Sequence, residues 1–177
     1  ITVPRKTHLL IVSDNLNLIE HISETFYNSE GDFRISDASN LTLAKQFLKN
    51  NNPDIIIAEL SLPDGSGSEL LSGNKYEGDY PIIILSSSDD KDTALEIMDE
   101  GAFDYLIKSE SSLAILPYTV DRIMRDWHQI VDHKIVDETL ISSDSYLQSI
   151  FRSSSDGLFL IDQDGNYLDV NPAGSKM

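Results

Sequence analysis

The sequence predicts an α/β fold: a doubly wound five-stranded parallel sheet, with an extended C-terminal helix and a partial α+β tail. Three observations carry that prediction. Short, wholly apolar runs recur along the chain, each ends on a polar or charged residue, and stretches of helical apolar spacing separate them. A strand covered on both faces reads as a continuous apolar run, whereas a half-exposed one alternates. Buried runs alternating with helices imply a parallel sheet wrapped on both sides.

The elements follow in order. Leu9-Leu10-Ile11-Val12 is the first run and ends at Ser13-Asp14-Asn15; Leu16, Ile19, Ile22 and Phe26 then fall at helical spacing. A weaker strand is expected over 33–36. Ser39 or Asn40 caps a helix carrying Leu41, Ala44, Phe47 and Leu48, which Asn51-Asn52-Pro53 stops. Ile55-Ile56-Ile57-Ala58 ends at Glu59, and a loop with Pro63, Gly65 and Gly67 leads to a short helix near 69–72. Asp64 reads as a turn residue. Pro81–Leu85 ends in three serines, 86–88; a helix with Ala94, Leu95, Ile97 and Met98 follows, with Gly101 placed just past its end. Phe103–Ile107 is the last run and ends at Lys108.

Composition narrows the function. Thirteen basic against thirty acidic residues give a net charge of −17, which argues against nucleic acid or an anionic membrane as a direct partner. Cysteine is absent, which excludes disulfide and thiolate chemistry and fits a cytoplasmic setting. No apolar run reaches the roughly 20 residues of a membrane span. Because the chain begins and ends in mid-pattern, a piece of a longer protein is expected.

In open α/β sheets, ligands sit beyond the carboxyl ends of the strands. Those ends carry Ser13 and Asp14, then Glu59, Ser86 and Lys108. A nucleophile–base–acid triad, a Gly-rich loop with Lys and a His/Cys cluster at metal spacing are all missing from the sequence pattern. The four histidines, His8, His21, His128 and His133, show no partner pattern.

With LLIVSDN at 9–15, PDIIIAELSLPDGSG at 53–67, PIIILSS at 81–87 and GAFDYLIK at 101–108, the chain resembles the receiver domain of two-component response regulators over about residues 7–130. The resemblance implies a flavodoxin-like sheet of order 2-1-3-4-5. It also implies an acidic pair holding Mg²⁺, an Asp that accepts a phosphoryl group from a histidine kinase, and a hydroxyl, an aromatic and a Lys that respond. On that basis Asp14 matches the second acid, Ser86 the hydroxyl, Tyr105 the aromatic that swings, and Lys108 the amine; the backbone of Ser61 joins Asp14 and Glu59 as a metal-ligand position. Two positions depart from the family: Ser13 stands where the first acid belongs, and Glu59 replaces the phosphoacceptor Asp.

Both departures weaken the reaction. Mg²⁺ favours carboxylate oxygens in tight octahedral geometry, and Ser13 removes one charge. Glu59 extends its carboxylate by one C–C bond, about 1.5 Å, and a misplacement near 1 Å can cost on the order of 100-fold in a reaction governed by positioning. Little or no phosphoryl acceptance and weakened Mg²⁺ binding are expected. A Glu59–Lys108 pair that biases the domain toward one conformation defines a pseudo-receiver. A silent structural domain and a receiver that still works in a phosphorelay are the alternatives.

Ser111 or Ser112 is expected to cap the next helix, with Pro117 in its first turns or kinking it. Leu113, Leu116, Val120, Ile123, Trp127 and Ile130 form a seam, with Trp127 and Ile130 expected beyond the sheet, so a homodimer through the 113–135 helix is expected. The receiver is placed at 1–130 with its last helix extending to about 143. Residues 142–145 mark a boundary, and Tyr146, Leu147, Ile150 and Phe151 an amphipathic patch. Strands at 158–162 and 167–170 around Asp164-Gly165 read as a hairpin, and 144–177, with SSDGLFLIDQDGNYLDVNPAG at 154–174, resembles the opening of a PAS sensor domain.

The function expected is a regulatory receiver module of a multidomain two-component protein, a sensor histidine kinase or similar. Its partners are a histidine kinase or downstream domains of the same polypeptide, and the chain itself is not an enzyme. A metal-dependent phosphohydrolase using Asp14 and Glu59 and a flavodoxin-like cofactor binder are the competing classes. The first lacks a nucleophile with its base; the second lacks strand ends suited to a phosphate and a ring.

Overall fold

The computed structural model describes residues 6–74, 78–153, 156, 158–161 and 167–176, without the side chains of 132–150, 161, 167 and 176. The chain divides into two compact units, Ile1–Gln129 and Ile130–Met177.

In the first unit, β1 (Thr7–Val12), α1 (Leu16–Tyr27), β2 (Phe33–Ala38), α2 (Leu41–Leu48) and β3 (Ile55–Glu59) come first. β4 (Ile82–Ser86), α3 (Lys91–Asp99), β5 (Asp104–Ile107), α4 (Glu110–Ala114) and α5 (Leu116–Ser153) follow. All five strands pair in parallel in the order β2-β1-β3-β4-β5. Alternate residues of each strand serve opposite faces. Leu9, Ile11, Ile55, Ile57, Ile83 and Leu85 pack with α1, α4 and α5, while Leu10, Val12, Ile56, Ala58, Ile82 and Ile84 pack toward α2 and α3. That two-sided burial is why the strands read as unbroken apolar runs.

Local chemistry sets the helix ends. Asn15 caps α1, its side chain accepting from Leu18 N–H at 3.2 Å, and Asn40, not Ser39, caps α2 through Leu43 N–H at 2.8 Å. α3 ends at Asp99 with Glu100 as its C-cap, and Gly101 then takes φ 106°, a left-handed conformation that side chains resist.

Several expectations need correction. The short helix near 69–72 is a single 3-10 turn, Gly67–Leu70, closed by a capping box between Ser66 and Glu69. Of the apolar residues assigned to α3, Ile97 is buried, but Leu95 is 66% and Met98 37% exposed. Ser109, rather than Ser111 or Ser112, caps α4 by accepting from Ser112 N–H at 3.2 Å. A break at Ile115 separates α4 from α5, which lets Pro117 sit in the first turn of α5, where its missing N–H costs nothing. Trp127 does not project beyond the sheet; it is buried and meets Phe103 edge-to-face at 5.6 Å. Leu113, Leu116, Val120, Ile123 and Trp127 therefore belong to the core of the unit itself, and Ile130 is half-buried. The remainder of the expected dimer seam, to 135, lies mostly among side chains outside the described set, as do Tyr146, Leu147 and Ile150 of the amphipathic patch.

α5 runs on to Ser153, past the expected end near 143, so residues 142–145 are helical. In the second unit, β6 (Phe159–Ile161) and β7 (Tyr167–Val170) pair antiparallel, with an irregularity between Leu160 and Ile161. The expected turn at Asp164-Gly165 lies outside the described residues. Buried Asn171 ties the ends together: its Oδ1 accepts from Leu158 N–H at 2.9 Å and Gly174 N–H at 2.8 Å, and its Nδ2 donates to Asp156 O at 2.9 Å.

Candidate functional site

Parallel pairing in register brings the strand ends to one rim. Ser13 N–H donates to Ala38 O at 3.0 Å just past β1, and Lys108 N–H to Ser86 O at 2.7 Å just past β5, so both residues are held by the last rungs of the sheet. Glu59 closes β3 and is 4% exposed. Gly67 fits beneath it: a Cβ there would lie 2.2 Å from Glu59 O, so the turn that follows the returning ribbon 61–66 requires a residue without a side chain.

Three side chains converge. Ser13 Oγ donates to Glu59 Oε2 at 2.5 Å, a short charge-assisted bond, and itself accepts from Asn15 N–H at 3.0 Å. The Lys108 ammonium is paired with Glu59 Oε1. The Glu59 carboxylate is thus buried with both oxygens engaged, one by a neutral donor and one by a cation. An ionised carboxylate in such a place needs that compensation.

The other candidate residues are arranged differently. The oxygens of Glu59 meet Ser13 and Lys108; the hydrogen bond of the Ser86 Oγ is instead accepted from Ser88 N–H at 3.1 Å. Tyr105 donates its hydroxyl to Ser88 O at 3.1 Å, so Ser88 is pinned through both backbone groups. Asp14 and Ser61 are exposed at the rim.

The donor set is poor in the charged oxygens that Mg²⁺ favours. Six hard oxygens are wanted at about 2.0–2.1 Å, yet each Glu59 oxygen already has a hydrogen-bond donor on it. Asp14 is the remaining acid of the set anticipated from sequence. Among the described residues, no group of three or more His, Cys, Asp or Glu is placed to hold a metal ion.

One residue near the site carries more than its sequence context indicated. Asp64, in Pro63-Asp64-Gly65, accepts from Leu41 N–H at 2.8 Å, Thr42 N–H at 2.9 Å and the Thr42 hydroxyl at 2.6 Å. It thereby clasps the loop after β3 onto the start of α2, and the Thr42 hydroxyl, then the Thr42 N–H, holds its carboxyl below the ordinary range. Lys45 and Glu69 add an exposed pair at 3.0 Å between the same elements. A Pro-Asp-Gly turn signal shows none of this, because the partner is 22 residues away. His8 is buried, with Nε2 2.9 Å from Ser36 Oγ, at the opposite end of the sheet from the rim.

Comparison with known proteins agrees with this fold. The model of the response regulator receiver domain matches residues 9–117, and that of the PAS domain matches 145–177. The transcriptional regulatory protein KdpE of Staphylococcus aureus is 29% identical over 118 residues, covering 67% of this chain and 47% of that protein. The chemotaxis response regulator CheY4 of Vibrio cholerae superimposes with a TM-score of 0.58 at 20% identity, covering 67% of this chain and 99% of that one. The Mn²⁺-bound form of the response regulator Rcp1 gives 0.53 at 24% identity, covering 59% and 82%. The chain spans less than half the length of the KdpE relative. Among the described residues, no helix is long and apolar enough to cross a membrane. The sheet order, the rim and the family match over 109 consecutive residues lead to one conclusion: the chain belongs to the response regulator receiver domain family.

Proposed function

We propose that this receiver is a pseudo-receiver: a regulatory module, not an enzyme, that keeps the shape of a phosphorylation site without its reaction. The observation that carries the reading is the buried Glu59 carboxylate, saturated by Ser13 and Lys108. A nucleophilic oxygen must be free and in line to attack a phosphoryl donor. Both Glu59 oxygens are engaged by donors, Ser13 and Lys108, and the carboxylate sits one carbon farther from its strand than an Asp would. The lone negative charge against Lys108 gives the domain a standing substitute, weaker than a phosphoryl group with its charge of about −1.5 to −2.

Signal then passes by conformation along α5 toward the PAS-like segment, placed at 144–177 after a receiver at 1–130. The parent is a multidomain two-component protein, of which a sensor histidine kinase is the form proposed, and homodimerisation falls to the part of the helix beyond Trp127. Direct nucleic-acid contact by this chain is disfavoured by its charge of −17. Cation binding is weakened relative to a receiver with an acidic pair.

Beryllofluoride with Mg²⁺, a phosphoryl surrogate, tests the reading. The unaltered chain is expected to give no saturable binding, and the Ser13→Asp/Glu59→Asp double variant to regain it. Tight binding by the unaltered chain would sink the proposal.

A further inference from the structure

We infer that the pocket at the strand ends carries its own cation: the Lys108 ammonium and the Ser13 hydroxyl occupy the places on Glu59 that a divalent metal would need, and so close the site to Mg²⁺ and Mn²⁺. The inference rests on the pseudo-receiver reading for the importance of Glu59, but its demand is separate. It concerns cation exclusion, not phosphoryl transfer.

Charge balance supports it. Inside the pocket Glu59 contributes one negative charge, Lys108 one positive, and Ser13 and Ser86 none, so the buried part is already neutral; Asp14 faces solvent. A dication arriving here brings surplus positive charge into a neutral, water-poor site. To reach Oε1 it must expel the Lys108 ammonium, which would then lie beside it as a like charge. To reach Oε2 it must break the 2.5 Å bond from Ser13, whose oxygen also holds Asn15 N–H and hence the start of α1. Entry therefore breaks an ion pair and loosens a helix cap for the return of one buried carboxylate, with Asp14 the other acid at the rim. Sites that take hard cations offer several carboxylate oxygens at once.

Two single substitutions unlock the site by different routes. Ser13→Asp supplies a second buried acid, and Lys108→Met removes the internal cation. The test is calorimetric titration of Mn²⁺ into the intact chain and both variants, with melting curves alongside and Glu59→Gln as control. The unaltered chain is expected to show no Mn²⁺ heat that depends on Glu59 and no rise in Tm. Ser13→Asp should bind saturably, at least about 10-fold more tightly than its parent, as gaining or losing one metal-orienting group commonly does. Lys108→Met should melt lower in metal-free buffer and recover as Mn²⁺ is added. Saturable binding by the unaltered chain that Glu59→Gln abolishes would overturn the inference, as would a Ser13→Asp variant no tighter than its parent. A chain that binds Mn²⁺ yet takes no phosphoryl group breaks this inference alone; one that refuses Mn²⁺ yet is phosphorylated breaks the pseudo-receiver reading alone.

Discussion

Replacing Lys108 by methionine keeps much of the side-chain volume and deletes the charge that faces Glu59. Removing one partner of a buried ion pair costs about 3–5 kcal/mol when the survivor is left alone. Two features of this site lower that figure. Glu59 retains the Ser13 hydroxyl, and a hydrogen bond to a charged group contributes about 1.5–3 kcal/mol. The Lys108 side chain is 25% exposed, so part of the lost attraction was already screened, while the Glu59 side chain at 5% is not. A net loss of about 2 kcal/mol follows, or roughly 6–10 °C in Tm for a unit of this size. Urea unfolding followed by Trp127 fluorescence measures it directly. The double variant Glu59→Gln/Lys108→Met removes both charges and should recover at least half of the loss, because the penalty lies in the orphaned carboxylate rather than in the missing attraction. A Lys108→Met midpoint indistinguishable from its parent, or a double variant no more stable than the single one, would refute this account of the site.

Other perturbations probe neighbouring claims. Gly67→Ala places a methyl against Glu59 O and should cost about 1–3 kcal/mol by overpacking, read as a lower urea midpoint. Trp127→Ala should cost about 3–5 kcal/mol, a loss that does not change with protein concentration, since its contact is with Phe103 of the same unit; a concentration-dependent loss would return Trp127 to a dimer seam. Asp64 has a carboxyl held below the ordinary value of 3.8, so the stability it contributes is present above that value and lost as pH falls through the lowered one. Asp64→Asn should accordingly be less stable than the parent at neutral pH, with the difference shrinking at the acid end of a pH series of urea midpoints.

The sheet was legible because its strands are buried on both faces: runs such as Ile55–Ala58 and Ile82–Leu85 leave little else to infer, and the residue that ends each run falls on the rim by geometry. What escaped depends on partners distant in sequence. Apolar spacing marks Leu95 and Met98 as readily as Ile97, but only tertiary packing decides that Ile97 alone of the three is buried. A seam of leucines, valines and isoleucines serves a domain core and a coiled coil equally well, and Trp127 went to the core because Phe103 is there to receive it. The cap of α4 was missed because Ser109, Ser111 and Ser112 are chemically alike, and the backbone turn at 109 made the choice. At the site, the identities of Glu59, Lys108 and Ser13 were readable, but not the division of labour among them. The sequence pointed to Glu59 facing Lys108, but carried no signal that the Ser13 hydroxyl takes the second carboxylate oxygen.

Incubation of the unmodified chain with Mg²⁺ and radiolabelled acetyl phosphate, followed by mapping of acid-stable label, bears most directly on whether the engaged carboxylate can act as an acceptor. No label at position 59 is the result expected, with label appearing in the Ser13→Asp/Glu59→Asp variant. Stoichiometric label on Glu59 of the unmodified chain would contradict the account.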